Sequence, residues 1–494
     1  MKHRKWLDLH AQAGHPAAMR KPPPDRLHFC SLTLENVRAF GAEQTLDLSD
    51  AKGRPAKWNL IIGQNGVGKT TIMQALARMR PIPSLLQEFV DNTETKARDI
   101  LEEAPRASAA LVKGGDFGDP LWTQAELSQH ENDEIFRFLR SPGDVVGQIS
   151  ATFAGPKGVK VEVGMTCEGN GEELTNVEFK QFRHELSSEG PLVIGYGASR
   201  HIGHANAAMI EGRDPTDSLF SEKFDLFDAE ELLARLHYAS LASGTKKDVQ
   251  RLQVVKDAVA DLVPDLVVRD IDIRGPHVPG RSRANTGVQV TTPSAKLPLA
   301  SLSLGAQTMF AWTVDLAWRM INAYPLSGKP LHQSAIVLMD EIDLHLHPKW
   351  QRSLRGHLER HFPNIQFIAT THSPITAQET LAAGGKVAVV RWCGEESVID
   401  NDPIAPREWR FDQVLTSELF GFETSRGPEA ERLLKERRSL LRKRRLSDTD
   451  KVRLRELDEY EASLPTAATV EDQEFEDWLL KLGRLEGTIA PDDD

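Results

Sequence analysis

No segment constrains this chain more than Gly63-Gln64-Asn65-Gly66-Val67-Gly68-Lys69-Thr70-Thr71. It follows NLIIG, a short apolar run of strand type, and leads into IMQALARM, whose apolar residues recur at helical spacing. Strand, glycine-rich loop and helix in that order satisfy G-x-x-x-x-G-K-[ST] at every fixed position. Gly63, Gly66 and Gly68 free the backbone so that its N–H groups converge on an anion, and the helix start adds partial positive charge. Lys69 then reaches the β and γ phosphates of ATP, and Thr70 offers its hydroxyl to Mg²⁺. Gln64, Asn65, Val67 and Thr71 complete the stretch expected to wrap the phosphates. A glycine turn that merely joins strand to helix is the plain alternative, and the flanking elements speak against it.

A phosphate loop needs a metal-holding carboxylate on a neighbouring strand. Residues 335–339, AIVLM, form a wholly apolar run that ends in Asp340-Glu341. Asp340 is placed to hold Mg²⁺, directly or through water, and Glu341 to orient and polarise the attacking water. Two shorter segments join them. Leu302-Ser303-Leu304-Gly305-Ala306-Gln307 opens a long apolar helix, where Ser303 and Gly305 at the helix start would meet an anion. His372 stands in ATTHSP, after the strand-like QFIA. Each of these two is weak alone, since a lone histidine after a strand is more often packed or at the surface.

Length and charge bound the rest. A chain of 494 residues implies two or three compact units. A formal net charge of -12 argues against coating nucleic acid over the whole surface, so any such contact must be local. Cys30, Cys167 and Cys393 lie far apart and form no C-x-x-C pair, which supports neither a disulfide framework nor a zinc site and fits a reducing, cytoplasmic setting. No apolar run approaches the roughly 20 residues that span a bilayer, so no membrane partner is expected.

Residues 1–28 read as a basic, proline-ended arm. Residues 29–80 begin the α/β head, with SLTLENVRAF and EQTLDLS as an antiparallel pair before the loop. Residues 81–145 read as a helical insertion, 146–200 as a β lobe, and 201–299 as a helical lobe with returning strands. Residues 300–424 complete the head, and 425–494 form a charged helical hairpin, with Ser447 or Asp448 as N-cap of its second helix, followed by an acidic tail.

Together, ENVRAF, GQNGVGKTT, LSLGAQ, MDEIDLHLHPKWQ and ATTHSP resemble the ABC-like ATPases of the RecF, SMC and OLD group. LSLGAQ resembles the ABC signature, and His372 the switch histidine. The resemblance implies an ABC-type P-loop head, a mixed sheet with an antiparallel β lobe. It also implies a homodimer in which Ser303 and Gly305 of one chain meet the γ phosphate held by the other. GYGASR and DQVLTSELFGFETSR with the helical pair look like the ATPase subunits of Septu-type and retron-associated systems. That likeness implies anti-phage activity with a separate nuclease or other effector, often of HNH type. The chain departs from the wider family where a glutamine loop is expected: Tyr196-Gly197-Ala198-Ser199-Arg200 has no Gln, and Arg200 either touches phosphate or caps the helical lobe.

Other features invite other readings. Asp343, His345 and His347 alternate as metal ligands on one strand face would, or form the loop after the Asp340-Glu341 strand that meets a second subunit. Glu395, Glu396, Asp400 and Asp402 suggest a Toprim-type nuclease, but their spacing suits a strand hairpin with a polar turn. The run 435–445 carries Arg437, Arg438, Arg442, Lys443, Arg444 and Arg445 as either a solvated helix face or a nucleic-acid or partner contact. Phe40 stacks near adenine or belongs to the core. Three classes of function follow: an ATPase that controls an effector, a DNA-repair clamp, and a nucleotide-gated scaffold with little turnover. The clamp calls for long heptads or a broad basic groove, and neither is seen. A transporter role ranks last, because the large insertion replaces the compact lobe that couples to a membrane partner.

Overall fold

The computed structural model describes residues 24–81, 144–170, 174–182, 190–199, 201–205, 214–221, 225–262, 270–273, 287–293, 295–403, 409–422, 425–443 and 445–464. The basic arm before residue 24, nearly all of the expected helical insertion, Arg200 and the acidic tail lie outside them. Close contacts divide the chain into two units, meeting between Phe420 and Gly421.

In the first unit, β1 (His28–Glu35) pairs antiparallel with β2 (Gln44–Asp47). The buried strand β3 (Trp58–Gly63) feeds the glycine loop and α1 (Lys69–Arg78). β4 (Asp144–Ala154), β5 (Lys160–Asn170) and β6 (Leu174–Phe182) extend β1 into an antiparallel sheet of order β2-β1-β4-β5-β6. After β7 (Val193–Tyr196) come a small parallel pair, β8 (His201–Ala205) with β9 (Asp225–Phe227), and the helices α2 (Ala229–Ser243) and α3 (Lys246–Leu262). β10 (Asp270–Ile273), β11 (Val288–Thr291) and β12 (Lys296–Pro298) form a three-stranded sheet, and the long helix α4 (Leu304–Ala323) follows.

The unit closes with β13 (Ala335–Met339), α5 (Pro348–His361), β14 (Ile365–Thr371), α6 (Pro374–Ala382), β15 (Lys386–Cys393), β16 (Glu396–Asp400) and α7 (Phe411–Leu415). β3, β13 and β14 are flanked by β15 and β7 in a sheet of order β16-β15-β3-β14-β13-β7, parallel except at the β15–β16 hairpin. This is the mixed sheet with an antiparallel lobe that defines an ABC-type head. Residues 193–196, placed by the sequence pattern in the β lobe, pair instead with β13 in the parallel sheet. Their VIGY run is buried on both faces, as a parallel strand requires.

Side-chain alternation divides the strands between two cores. Leu60, Ile62, Val337, Met339, Phe367 and Ala369 face α2, α3 and α4. Ile61, Ile336, Leu338 and Ile368 face α1 and the antiparallel sheet, where Phe29 and Phe153 pack with ring centroids 4.2 Å apart. Buried Gln366 bridges the sheets: its Oε1 accepts from Phe29 N–H at 2.8 Å, and its Nε2 donates to Phe29 O at 2.9 Å. An amide at that depth is tolerated because its donors and acceptors are used.

The alternatives drawn from sequence can be placed. Gly394, at φ 68°, turns the β15–β16 hairpin, and Glu396 accepts from Ala42 N–H at 3.0 Å. The acidic group is therefore a strand hairpin. Residues 341–345 form turns, not a strand. Asp343 accepts from Thr371, and His347 Nδ1 caps α5 at Lys349 N–H. Among the described residues no cluster of three His, Cys, Asp or Glu is arranged to hold a metal. No helix of the described residues is long and apolar enough to cross a membrane. All three cysteines are free thiols.

The second unit carries α8 (Pro428–Leu441) and α9 (Asp448–Ser463), the latter opened by a capping box between Ser447 and Asp450. Three cations of its basic run are answered within the hairpin. Arg437 pairs with Asp458 and Glu461, Lys435 with Glu431, and Lys443 with Asp450.

Candidate nucleotide site

Every element of the site sits at the carboxyl ends of parallel strands. β3 delivers the glycine loop, β13 delivers Asp340 and Glu341, and β14 delivers His372. Gly68 is the N-cap of α1 at φ 98° and ψ 15°, a left-handed conformation that an L side chain rarely adopts. A Cβ there would also lie 2.8 Å from the ring of Phe40. Phe40 is wholly buried in the core beneath the loop, which removes it from adenine stacking.

Lys69 is 7% exposed and donates to the carbonyls of Gly63 and Gln64, both at 2.8 Å. Burial lowers its pKa, and the nearby charges of Asp340, Glu341 and Asp343 oppose that shift. Thr70 Oγ1 donates to Asp340 Oδ2 at 2.7 Å, which joins the loop to the carboxylate across 270 residues of sequence. Asp340 is buried, and its other oxygen accepts from the Thr370 hydroxyl. A buried carboxylate is tolerable only with such donors. The same Thr370 Oγ1 accepts from Glu341 N–H at 2.7 Å. Glu341 sits at φ 48°, a left-handed conformation that costs a non-glycine residue about 1–2 kcal/mol.

His372 is exposed at the end of β14. Partial burial and the charge of Lys69 hold its pKa below the usual histidine value, against the pull of Glu341, Asp343 and Asp340. It is therefore mostly neutral at pH 7. Lys69, Thr70, Asp340, Glu341 and His372 thus share one electrostatic neighbourhood, with Thr71 buried in the first turn of α1 behind them.

Ser303 and Gly305 take a different place. Ser303 is exposed as N-cap of α4, with its Oγ accepting from Ala306 N–H at 3.3 Å. Gly305 is buried, and a Cβ there would fall 2.3 Å from the carbonyl oxygen of His345. Gln307 donates to the carbonyls of Leu302 and Ala300 and so braces the turn before the helix. Sequence reading missed Thr370 and Tyr196. Thr370 stands in the ATTHSP segment already singled out, and two hydroxyls before a strand-end histidine were the available signal. Tyr196 accepts from Asp340 N–H at 2.8 Å through its carbonyl, which no side-chain pattern reveals.

A parallel sheet that delivers a glycine loop, a buried aspartate and a following glutamate at one edge defines a P-loop ATPase head of ABC type. A family described as "AAA domain" matches residues 31–79, and one described as "AAA domain, putative AbiEii toxin, Type IV TA system" matches residues 204–377. The chain belongs to the family of the retron Ec83 probable ATPase of Escherichia coli, with which it is 47% identical over 385 residues, 71% of this chain and 69% of that protein. It is 26% identical over 381 residues to the Septu protein PtuA of Bacillus mycoides, covering 76% of this chain and 42% of that protein. The match thus spans less than half the length of that PtuA. Among solved structures, the SMC head domain from Thermotoga maritima overlays with a TM-score of 0.38 at 13% identity, covering 75% of this chain and 98% of that one.

Proposed function

We propose that this chain binds ATP with Mg²⁺ and hydrolyses it at a site completed by a second copy. The cycle governs a separate nuclease or other effector in anti-phage defence. The observation that carries the reading is the Thr70–Asp340 hydrogen bond, which brings a loop hydroxyl and a buried carboxylate to one point. Hard oxygen donors of this kind suit Mg²⁺, which when bound would neutralise phosphate charge. Lys69 and the loop N–H groups hold the β and γ phosphates. Glu341, fixed through its backbone by Thr370, orients and deprotonates the attacking water. Neutral His372 donates to the γ phosphate. The effector role rests on the relatives named as retron and Septu proteins.

The test is a pair of variants. Lys69→Ala is expected to lose binding of a fluorescent ATP analogue, and Glu341→Gln to bind it normally while turnover falls at least a hundredfold, the range of a lost general base. Unchanged analogue binding by Lys69→Ala would remove the loop from the site. Wild-type turnover by Glu341→Gln would move the base elsewhere, and a wild-type chain without Glu341-dependent turnover would be a nucleotide-gated scaffold.

A further inference from the structure

The opposite edge of the parallel sheet carries a second concavity. Lys57, Ser334 and Asn364 stand just before β3, β13 and β14, at the amino ends of strands whose carboxyl ends hold the nucleotide site. With the β4–β5 turn and the start of β1 they line a cavity of about 700 Å³. That volume falls within the range of small-molecule sites, roughly 300–1,000 Å³.

Its lining is one-signed. Arg26, Arg54, Lys57 and Lys160 surround it, and no Asp or Glu is among the described residues that line it. In a chain with 72 acidic against 60 basic residues this is not the average surface. Arg54 is answered by Asp50 nearby, and Lys57 Nζ donates to the Pro363 carbonyl at 2.7 Å. Arg26 and Lys160 make no ion pair or side-chain hydrogen bond among the described residues. Their charge is felt by Tyr324 and Cys30 respectively. The floor offers a neutral polar group, buried Ser334, whose Oγ lies 3.1 Å from His28 Nε2. Among the described residues no Phe, Tyr or Trp lines it.

We propose that this cavity is an anion site for a phosphate-bearing ligand of nucleotide size, free or at the end of a nucleic-acid strand, held by Arg26 and Lys160. Cations with spare donors, lining a concave site with no carboxylate among its described residues, match phosphate oxygens. Such a site would let one ligand be sensed at the edge opposite the one that hydrolyses another. The proposal is independent of hydrolysis at Lys69, although its test silences that site.

Equilibrium binding would be measured by calorimetry on the full chain carrying Lys69→Ala, with inorganic pyrophosphate and with a 5′-phosphorylated trinucleotide. An oligoglutamate of equal charge serves as the competing probe. At least one phosphate probe is expected to bind, and to weaken at least about tenfold when Arg26→Gln and Lys160→Gln are added, the loss of two charge-assisted bonds. Arg26→Lys with Lys160→Arg keeps the charge and should retain binding. Pyrophosphate binding alone assigns a free small phosphate, and tighter trinucleotide binding a strand end. No binding of either probe, binding indifferent to the Gln pair, or equal binding of oligoglutamate would overturn the proposal. In the chain with Lys69 intact, the Gln pair should leave the fluorescent ATP analogue bound, so failure here is distinguishable from failure of the phosphate loop.

Discussion

At the scale of single residues, the site depends on a side chain whose importance the sequence does not advertise. Thr370 is wholly buried. Its hydroxyl gives its proton to Asp340 and takes one from the backbone of Glu341, so one oxygen sets both the buried carboxylate and the strained residue beside it. Thr370→Val keeps the shape and removes both bonds, leaving a buried N–H and carboxylate short of a partner at a cost of about 1–3 kcal/mol. The expected outcome is a lower melting temperature and turnover reduced about tenfold, with Thr370→Ser close to wild type. Wild-type turnover in the valine variant, measured with saturating ATP, would reject the positioning role. The loop and the Asp340-Glu341 pair were legible because each is a contiguous run whose chemistry is local. Thr370 was not, because its role exists only once β14 lies beside β13.

At the scale of elements, the helix opened by Ser303 is tied to the end of β13 through β7. Tyr196 OH donates to buried Asp315 of α4 at 2.7 Å, Arg319 Nε donates to the same carboxylate at 2.7 Å, and the Tyr196 carbonyl accepts from Asp340 N–H. A displacement of α4 therefore bears on the backbone of Asp340 by way of one strand. Periodicity found both α4 and β7, but the contact joins residues 119 apart and the buried VIGY run carries no sign of which sheet it enters. Two substitutions separate the parts of this link. Tyr196→Phe removes one neutral-to-charged hydrogen bond and should cost about 1.5–3 kcal/mol. Asp315→Asn removes the buried carboxylate that Arg319 holds at 2.7 Å and should cost more, about 3–5 kcal/mol. Urea denaturation of both variants checks the order, and a reversed order would show that the ion pair contributes less than the tyrosine.

At the scale of the whole molecule, the proposed completion of the site by a second copy can be tested. Lys69, Thr70, Asp340, Glu341 and His372 gather in one chain, while the bonds of Ser303 and the packing of Gly305 run to their own helix and to His345. In a two-fold dimer each site would take its loop from one copy and its helix start from the other. The substitution that tests this must place a negative charge at that helix start without breaking it. Gly305→Asp fails that condition because its Cβ would collide with the His345 carbonyl. Ser303→Asp meets it, since Ser303 is exposed and aspartate caps a helix as well as serine does. Alone, a Ser303→Asp chain should melt like wild type and lose hydrolysis, because the carboxylate repels a γ phosphate brought against it. Mixed in equal amounts with a Lys69→Ala chain, it should form heterodimers with one doubly defective site and one intact site. Random pairing then restores about a quarter of the wild-type turnover per chain. Heterodimers that demonstrably form yet hydrolyse nothing would contradict independent shared sites, and full activity of Ser303→Asp alone would remove this helix start from the reaction.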